Sequence, residues 1–415
     1  MKYVKINGEK FEVIVYNDSV ILDLHALSIT SIKQIEGLDD LPNLNVLNLR
    51  KNHISKIECL EHLIQLKELN LGLNKISKIE GLENLKNVKM LDLSHNNLSK
   101  IEGLENLTKL KELNLSYNKI PVLEGLTNQI NLEIIDLNVN KISKIVGLEN
   151  QANLRNLMLS GNHIAKIECL DNLKLLTHLS LGSNQIIEIT GMENLKKLNR
   201  LNLRNNLIID LKGFEDLQKL HTLRLNNNKI SKMNNLKNTL GLKYLYLDDN
   251  NIKEIHGIKD HPELEGLYLR NNQINEIKGL SKLKKLFYLE LENNHITEIK
   301  NLDDLVNLKG LFLNNNKINE ITGLDNLKNL MGLSLENNQI DKIENLDSLL
   351  NLKELNISNN KISFIEGLEN LKNLVKLKIS GNRIESQIIE ELGSTKLGGW
   401  ANKPTKFVEY CRKNK

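Results

Sequence analysis

The sequence predicts an α/β solenoid of 17 short repeats, in which a right-handed superhelix carries a curved parallel β-sheet on its concave face. Short 3₁₀ or extended segments are expected on the convex face, and a cap at each end. The main observation is an asparagine that recurs every 22 residues without insertion, inside a constant frame of aliphatic residues. These ladder asparagines are Asn52, Asn74, Asn96, Asn118, Asn140, Asn162, Asn184, Asn206, Asn228, Asn250, Asn272, Asn294, Asn316, Asn338, Asn360 and Asn382.

Length and composition agree with a repeat array. A chain of 415 residues is longer than one ordinary hydrophobic core usually fills. The residues are 40% hydrophobic but only 4% aromatic, so aliphatic side chains must account for most of the burial. The formal net charge of +4, from 56 basic and 52 acidic residues, gives no general attraction to nucleic acid or to an anionic membrane.

Each repeat combines two periodicities. Leu69 and Leu71 are two residues apart, which predicts a short strand with one face turned inward. Leu82, Leu85 and Val88 are three residues apart, which favours a tight 3₁₀-like or extended segment over a long α-helix. One unit is therefore one coil, and stacked coils align their strands in parallel.

Two polar positions in the repeat have a predicted structural role. The bend of each coil leaves inward-pointing backbone groups, and a buried carboxamide can both donate to them and accept from them. The 22-residue step places Thr30 at this position in a degenerate first unit. A glycine follows later in most units, as at Gly81, which predicts a positive φ; asparagine replaces it at Asn235, Asn301 and Asn345.

The pattern stops at both ends, where an open stack would expose its core. Residues 1–21 are predicted to form an N-terminal cap, with a hairpin around Asn7 and Gly8. The apolar face of that hairpin is expected to consist of Val4, Ile6, Phe11, Val13 and Val15.

The solenoid is predicted to span residues 22–390, and residues 391–415 to form a C-terminal cap. This second cap holds the only tryptophan, Trp400, whose large ring is suited to cover the last coil. A short helix is expected from Pro404 onward.

The units LKELNLGLNKISKIEGLENL and LKGLFLNNNKINEITGLDNL resemble the SDS22-like class of leucine-rich repeats, and the resemblance covers roughly residues 22–390. Bacterial internalins have similar repeats. The resemblance implies an intracellular adaptor or regulatory subunit that grips a globular protein with its concave sheet. It suggests a phosphatase or a small GTPase as a partner class, by analogy alone.

The side chains six, four and two residues before each ladder asparagine define the concave face, because strand residues alternate between two faces. In the first half of the chain these side chains are small and polar, as at Asn70, Gly72 and Ser94. From about residue 200 the chemistry changes to aromatic and charged. The candidate partner-binding residues are Arg200, Arg204, Arg224, Tyr244, Tyr246, Asp248, Tyr268, Arg270, Tyr288, Glu290, Glu292 and Phe312.

Four of the eight tyrosines fall on three adjacent strands of this face. Tyrosine and arginine dominate interface energetics because each combines a large contact area with polar groups. The pattern therefore predicts a binding surface. An alternative is a purely structural ladder, since aromatic side chains on neighbouring strands also stabilise a sheet by stacking on each other.

The sequence bears on three functional classes. A protein-binding scaffold or regulatory subunit fits best, and nucleic-acid binding through the arginines and tyrosines is the alternative. Asp248, Glu290 and Glu292 argue against the alternative, since a phosphate track should be more uniformly basic. No HExxH, no Gly-x-Ser-x-Gly and no phosphate-cradling glycine loop occurs, so we expect no enzyme, no catalytic residue, no cofactor and no metal ligand.

The expected location is the cytoplasm. No secretory signal and no apolar run long enough to cross a bilayer occurs, so no membrane association is expected. Cys59, Cys169 and Cys411 are too few and too scattered for a disulfide scaffold or a zinc site. We expect them to be reduced, buried thiols.

Overall fold

The computed structural model describes residues 2–236, 238–393 and 399–414. By internal contacts the chain divides into two compact units, Met1–Asn206 (unit 1) and Leu207–Lys415 (unit 2), and each is described on its own.

Short strands make up almost all of the regular secondary structure of unit 1. From β4 onward, each strand pairs in parallel with the next. Two 3₁₀ turns, Ile32–Gln34 and Leu38–Asp40, lie between β4 and β5. The strands are Tyr3–Ile6 (β1), Glu9–Glu12 (β2), Ile14–Tyr16 (β3), Ser19–Asp23 (β4), Val46–Asn48 (β5), Glu68–Asn70 (β6), Met90–Asp92 (β7), Glu112–Asn114 (β8), Ile134–Asp136 (β9), Asn156–Met158 (β10), His178–Ser180 (β11) and Arg200–Asn202 (β12).

Unit 2 continues the same plan and ends in two helices. Consecutive strands pair in parallel, in a register that advances by one repeat. The elements are Thr222–Arg224 (β13), Tyr244–Tyr246 (β14), Gly266–Tyr268 (β15), Tyr288–Glu290 (β16), Gly310–Phe312 (β17), Gly332–Ser334 (β18), Glu354–Asn356 (β19), Lys376–Lys378 (β20), Ser386–Glu391 (α1) and Pro404–Lys413 (α2).

The predicted solenoid is confirmed by the coils. Leu69 and Leu71 are 2% and 0% exposed, so both side chains lie in the core, as the alternation predicted. On the back of the coil, the amide of Leu85 donates to the carbonyl of Leu82 at 3.0 Å and that of Val88 to Leu85 at 3.1 Å. These bonds span three residues, which is the 3₁₀-like geometry expected from the spacing.

The ladder asparagines satisfy the backbone at each bend, as predicted. The side-chain amide of Asn294 donates to the carbonyl of Leu269 at 2.9 Å and to that of Leu291 at 3.0 Å. Its carbonyl oxygen accepts from the amide of Ile274 at 2.9 Å. The side chain thus bridges its own coil and the preceding one, and Asn294 is 4% exposed.

The glycine position also behaves as expected. Gly81 has a φ of +69°, and a β-carbon there would lie 2.7 Å from the carbonyl oxygen of Ile57. Asn301 takes the same place with a φ of +60°. Its amide donates to the carbonyl of Ile277 at 2.7 Å. The substitution replaces a close backbone approach with a hydrogen bond.

The prediction for Thr30 is wrong. Its side chain is exposed and its hydroxyl lies 3.2 Å from the side-chain oxygen of Gln34. The backbone amide of Ile29 instead donates to Asn52, in the way that Ile54 donates to Asn74. The first unit therefore has three additional residues, and β4 pairs with β5 at a spacing of 25 residues, as Leu22 with Leu47.

At the N-terminus, β1 and β2 form the hairpin predicted around Asn7 and Gly8, both of which have positive φ. Val4 is completely buried. Val15 was expected on the same apolar face, but it is 70% exposed because it belongs to a second hairpin, made by β3 and β4.

The C-terminal helix begins at Pro404, as predicted, and buries Phe407 and Val408. Just before it, Trp400 makes an antiparallel bridge to Lys378, and the amide of Ala401 donates to the carbonyl of Leu377 at 2.7 Å. The chain thus covers part of the edge of β20, which an open stack would leave unpaired.

The prediction of buried thiols holds for one cysteine of three. Cys411 is buried, whereas Cys59 is half-buried and Cys169 is exposed. Cys59 and Cys169 occupy the glycine position of their coils, with φ of +57° and +58°. Their backbone lies at the surface bend of the coil, so the side chain does not enter the core.

Candidate functional site

The candidate residues are distributed over both units. Arg200 and Arg204 lie in unit 1, where both are exposed. The other ten lie on β13 to β17 of unit 2 or in the residues that follow these strands. We call Tyr244, Tyr246, Tyr268, Tyr288 and Phe312 the aromatic patch, and Asp248, Glu290 and Glu292 the acidic centre.

The middle of the aromatic patch is a stacked pair. The rings of Tyr246 and Tyr268 are 4.3 Å apart between centroids and 7° from parallel. The guanidinium of Arg224 lies 5.1 Å from the ring centroid of Tyr246, within the range of a cation–π contact. Three successive strands thus contribute to one continuous contact.

Two glycines give the flanking rings room to lie over the sheet. A β-carbon at Gly266 would be 2.9 Å from the Tyr268 ring and 3.0 Å from the Tyr244 ring. A β-carbon at Gly310 would be 2.8 Å from the Tyr288 ring and 2.9 Å from the Phe312 ring. Gly266 and Gly310 were not among the residues predicted from the sequence. Glycine does alternate there with Tyr244 and Tyr288 at the same position of neighbouring strands.

One further anchor comes from a position outside the predicted set. Glu265 accepts a 2.7 Å hydrogen bond from the hydroxyl of Tyr244 and a 3.0 Å bond from the ammonium of Lys243. These bonds lower the pKa of Glu265, that from Tyr244 most, and the same contact is the main cause that raises the pKa of Tyr244. Both pairings hold the first ring of the patch in place.

The acidic centre places three partly buried carboxylates around one arginine. The guanidinium of Arg270 lies 3.6 Å from Glu292, and its backbone amide donates to Asp248 at 3.0 Å. Asp248 also accepts a 2.6 Å bond from the amide of Asn226. Burial raises the pKa of Glu290 to about 7, and the charges of Glu292 and Asp248 add to the effect.

Burial also raises the pKa values of Glu292 and Asp248, although Arg270 opposes the shift in both. One oxygen of Glu292 is buried without a hydrogen bond, since 3.6 Å from the arginine is an ion pair only. The centre therefore carries more negative charge than Arg270 can neutralise. A cation or a hydrogen-bond donor in contact with these carboxylates would therefore stabilise them.

The patch contains elements of both interpretations offered by the sequence. Tyr246 and Tyr268 stack as a structural ladder would, and burial is the first cause that raises the pKa of Tyr268. Tyr288, in contrast, is 45% exposed, and the other aromatic side chains are half-buried rather than covered. The aromatic patch is therefore ordered by contacts within the protein itself.

Within residues 2–236, 238–393 and 399–414, no group of three histidine, cysteine or acidic side chains is placed to hold a metal ion. In the same ranges, no helix has the length and apolarity needed to cross a membrane.

Comparison with known sequences identifies the repeat. A profile of leucine-rich repeats in two copies matches residues 86–128 and 350–393, and a second leucine-rich-repeat profile matches residues 42–98 and 240–296. No curated protein matches the sequence significantly.

Solved structures agree on the fold. A leucine-rich-repeat protein of Leptospira interrogans is 27% identical with a TM-score of 0.72, over 89% of this chain and 92% of that one. The internalin InlF of Listeria monocytogenes is 29% identical with a TM-score of 0.62, over 80% and 91%. The functional domain of InlJ from the same species, 22% identical with a TM-score of 0.67 over 85% and 70%, agrees in fold alone. Together with the asparagine-bridged coils, these matches show that the chain is built from leucine-rich repeats.

Proposed function

We propose that this protein is a non-enzymatic, protein-binding scaffold, and that its partner docks on the concave face of unit 2. One observation supports the proposal most. Five aromatic rings, three of them tyrosines seated beside Gly266 or Gly310, form a pre-organised surface in a chain that is only 4% aromatic. Rigid aromatic side chains with polar tips are typical anchors of protein interfaces.

The acidic centre determines which chemical groups a partner surface should carry. Three carboxylates around Arg270 favour a surface with lysine, arginine or backbone amide donors, since these would satisfy Glu290 and Glu292 on contact. The same carboxylates repel phosphates, so a nucleic acid is a poorer fit than a protein. Arg224 and Arg270 then orient the partner through their guanidinium groups.

We further propose that the protein is a cytoplasmic regulatory subunit of the SDS22-like class. The uniform 22-residue step supports the resemblance to the SDS22-like class, and with it a role as a regulatory subunit in the cytoplasm. A phosphatase or a small GTPase is the client class to test first. Arg200 and Arg204 belong to unit 1 and remain candidate partner-binding residues on sequence grounds alone.

The test is a capture experiment on lysate of the source cell. Wild type is compared with Tyr246→Ala plus Tyr268→Ala, after circular dichroism has shown that the double variant is folded. The control is Tyr16→Ala plus Phe364→Ala, which removes two aromatic side chains that are 67% and 72% exposed and lie off the concave face of unit 2.

We expect one or more proteins to be retained by wild type and by the control but lost from the patch variant. Purified candidates should then bind wild type at least tenfold more tightly than the patch variant, about 1.4 kcal/mol. An unchanged set of partners would refute the patch as the docking surface. A partner set dominated by nucleic acid would replace the proposal with the alternative.

A further inference from the structure

A groove crosses the concave face of unit 1, from β5 to β10, with a volume of about 410 Å³. Val46, Met90, Ile134 and Met158 contribute its apolar lining. Met90 is 40% exposed although it is a large apolar side chain. The sequence-based description of this half as small and polar therefore misses its apolar floor.

The same groove is acidic. Among the described residues that line it, none is lysine, arginine or histidine. Asp92 accepts a 2.8 Å bond from the amide of Ser94, and Asp136 a 2.9 Å bond from that of Asn138, so both carboxylates are fixed in position. The lining carboxylates are Glu68, Asp92, Glu112 and Asp136.

Among the described residues of unit 1, none forms an ion pair with these carboxylates. Burial raises the pKa of Asp136, and the nearby charge of Asp92 raises it further. Glu68 and Glu112 make no ion pair among the described residues, and Lys111 pairs with Glu133, which does not line the groove. A cationic ligand would relieve this repulsion, whereas an anionic one would increase it.

A second row of side chains lies on the same coils, and we call it the ridge. It consists of Leu73, His95, Tyr117 and Val139, each directly before a ladder asparagine. The rings of His95 and Tyr117 stack at 4.0 Å and 9°. Tyr117 is 49% exposed and Val139 is 41% exposed, so the ridge presents apolar surface to solvent.

The backbone of the ridge makes these residue types unexpected. Leu73, Tyr117 and Val139 have φ of +55°, +55° and +53°, a conformation that bulky and β-branched residues rarely adopt. In unit 2 the same position is held almost throughout by asparagine, which tolerates it. These asparagines are Asn227, Asn271, Asn293, Asn315, Asn337 and Asn359. Folding alone would favour asparagine in unit 1 as well.

We infer that the groove and ridge of unit 1 form a second docking surface, and that its occupant is a partner segment in which lysine or arginine alternates with apolar residues. The basic side chains would meet Asp92, Asp136 and the two glutamates. The apolar side chains would cover Met90 and the ridge. The inference does not depend on the aromatic patch, because every residue that supports it lies within unit 1.

The first experiment uses a synthetic peptide in which lysine alternates with leucine, together with matched peptides that carry glutamate or glutamine in place of lysine. Calorimetry should detect binding of the lysine peptide to the full chain, weakening as salt is added. The glutamate peptide should not bind. Equal binding of the lysine and glutamate peptides would overturn the inference.

The second experiment locates the site with Asp92→Asn plus Asp136→Asn. Asn70 already accepts the equivalent backbone bond on its own coil, at 3.0 Å, so the change removes charge and keeps the fold. Affinity for the lysine peptide should fall about tenfold. Tyr246→Ala plus Tyr268→Ala should leave it unchanged. The opposite pattern would place the peptide on unit 2 and refute the unit 1 site.

The third experiment separates docking from stability. Tyr117→Asn plus Val139→Asn installs the residue that suits the left-handed backbone, so the melting temperature should stay equal or rise. Affinity for the lysine peptide should nevertheless fall about fivefold, since the apolar ridge is lost. Unchanged affinity would show that the ridge takes no part in docking, and a lower melting temperature would show that it is structural.

Discussion

The ring of Tyr288 lies over Gly310, where a β-carbon would approach it to 2.8 Å. Gly310→Ala should therefore displace the rings of Tyr288 and Phe312, because the backbone of β17 is held by its neighbours and the rings are not. We expect an altered near-ultraviolet circular dichroism spectrum and weaker partner binding, with a loss of stability of no more than about 1 kcal/mol.

Gly332 is the matched control for this change, since it occupies the same position one strand later and nothing lies within 4 Å of its would-be β-carbon. Gly332→Ala should leave the aromatic spectrum unchanged and stabilise the fold by about 0.4–1 kcal/mol through the unfolded chain. Identical spectra for the two variants would mean that the glycine at Gly310 does not position the rings.

Removing a ladder asparagine should be far more damaging than removing a surface one. Asn294→Ala would leave the amide of Ile274 without its partner. It would also remove one of the two side-chain hydrogen bonds to the carbonyls of Leu269 and Leu291, which would keep only those from Asn272 and Asn316. We expect a loss of about 2–4 kcal/mol in the free energy of unfolding. Asn307→Ala, which removes a single 2.8 Å bond at an exposed site, should cost less than about 1 kcal/mol. Urea titration of both variants compares them, and equal losses would contradict the bridging role.

Asn301 occupies the glycine position of its coil, so glycine should destabilise the fold less than alanine there. Asn301→Gly keeps the backbone at its φ of +60° without strain and loses only the bond to Ile277. Asn301→Ala loses the same bond and adds the penalty of a left-handed alanine, about 1 kcal/mol. The melting temperature of the glycine variant should thus lie above that of the alanine variant. The reverse order would show that the side-chain contact, not the backbone, decides the residue at this position.

The coil could be predicted from sequence because its constraints are local. A buried amide at Asn294 and a positive φ at Gly81 each require a particular residue type, so that residue type recurs at the same position of successive repeats. The first unit was misassigned for a related reason. Its three additional residues follow Ile29 and preserve the apolar spacing of three through Ile32 and Ile35, so the pattern itself cannot reveal the insertion.

The candidate site could be predicted only in outline. Alternation along strands identified Tyr246 and Tyr268 as neighbours on one face, and their parallel pairing is present. The contact of Tyr244 with Glu265 was missed, because Glu265 precedes its strand and lies outside the positions assigned to the concave face. The groove of unit 1 was missed as well, since Met90 and Met158 occupy different positions in their repeats and converge only in three dimensions.

The acidic centre should make the stability of the protein depend on pH. The pKa of Glu290 is raised from 4.5 to about 7 by burial and by the charges of Glu292 and Asp248. The folded state therefore binds a proton more tightly than the unfolded chain does. The free energy of unfolding should fall as the pH rises from about 4.5 to about 7, and this contribution should stay constant above that range.

Glu290→Gln removes this carboxylate and keeps its shape, so it should stabilise the protein by about 1–2 kcal/mol at pH 8 and have little effect at pH 4. The gain is smaller than the full shift would give, because the side chain is partly exposed to solvent. Glu409→Gln, on the exposed side of α2, is the control for removing one carboxylate. Thermal unfolding of the three proteins between pH 4 and pH 8 measures the difference. If the stability of wild type and of Glu290→Gln changed with pH in parallel over the whole range, Glu290 would titrate normally. The acidic centre would then give no reason to expect a basic partner.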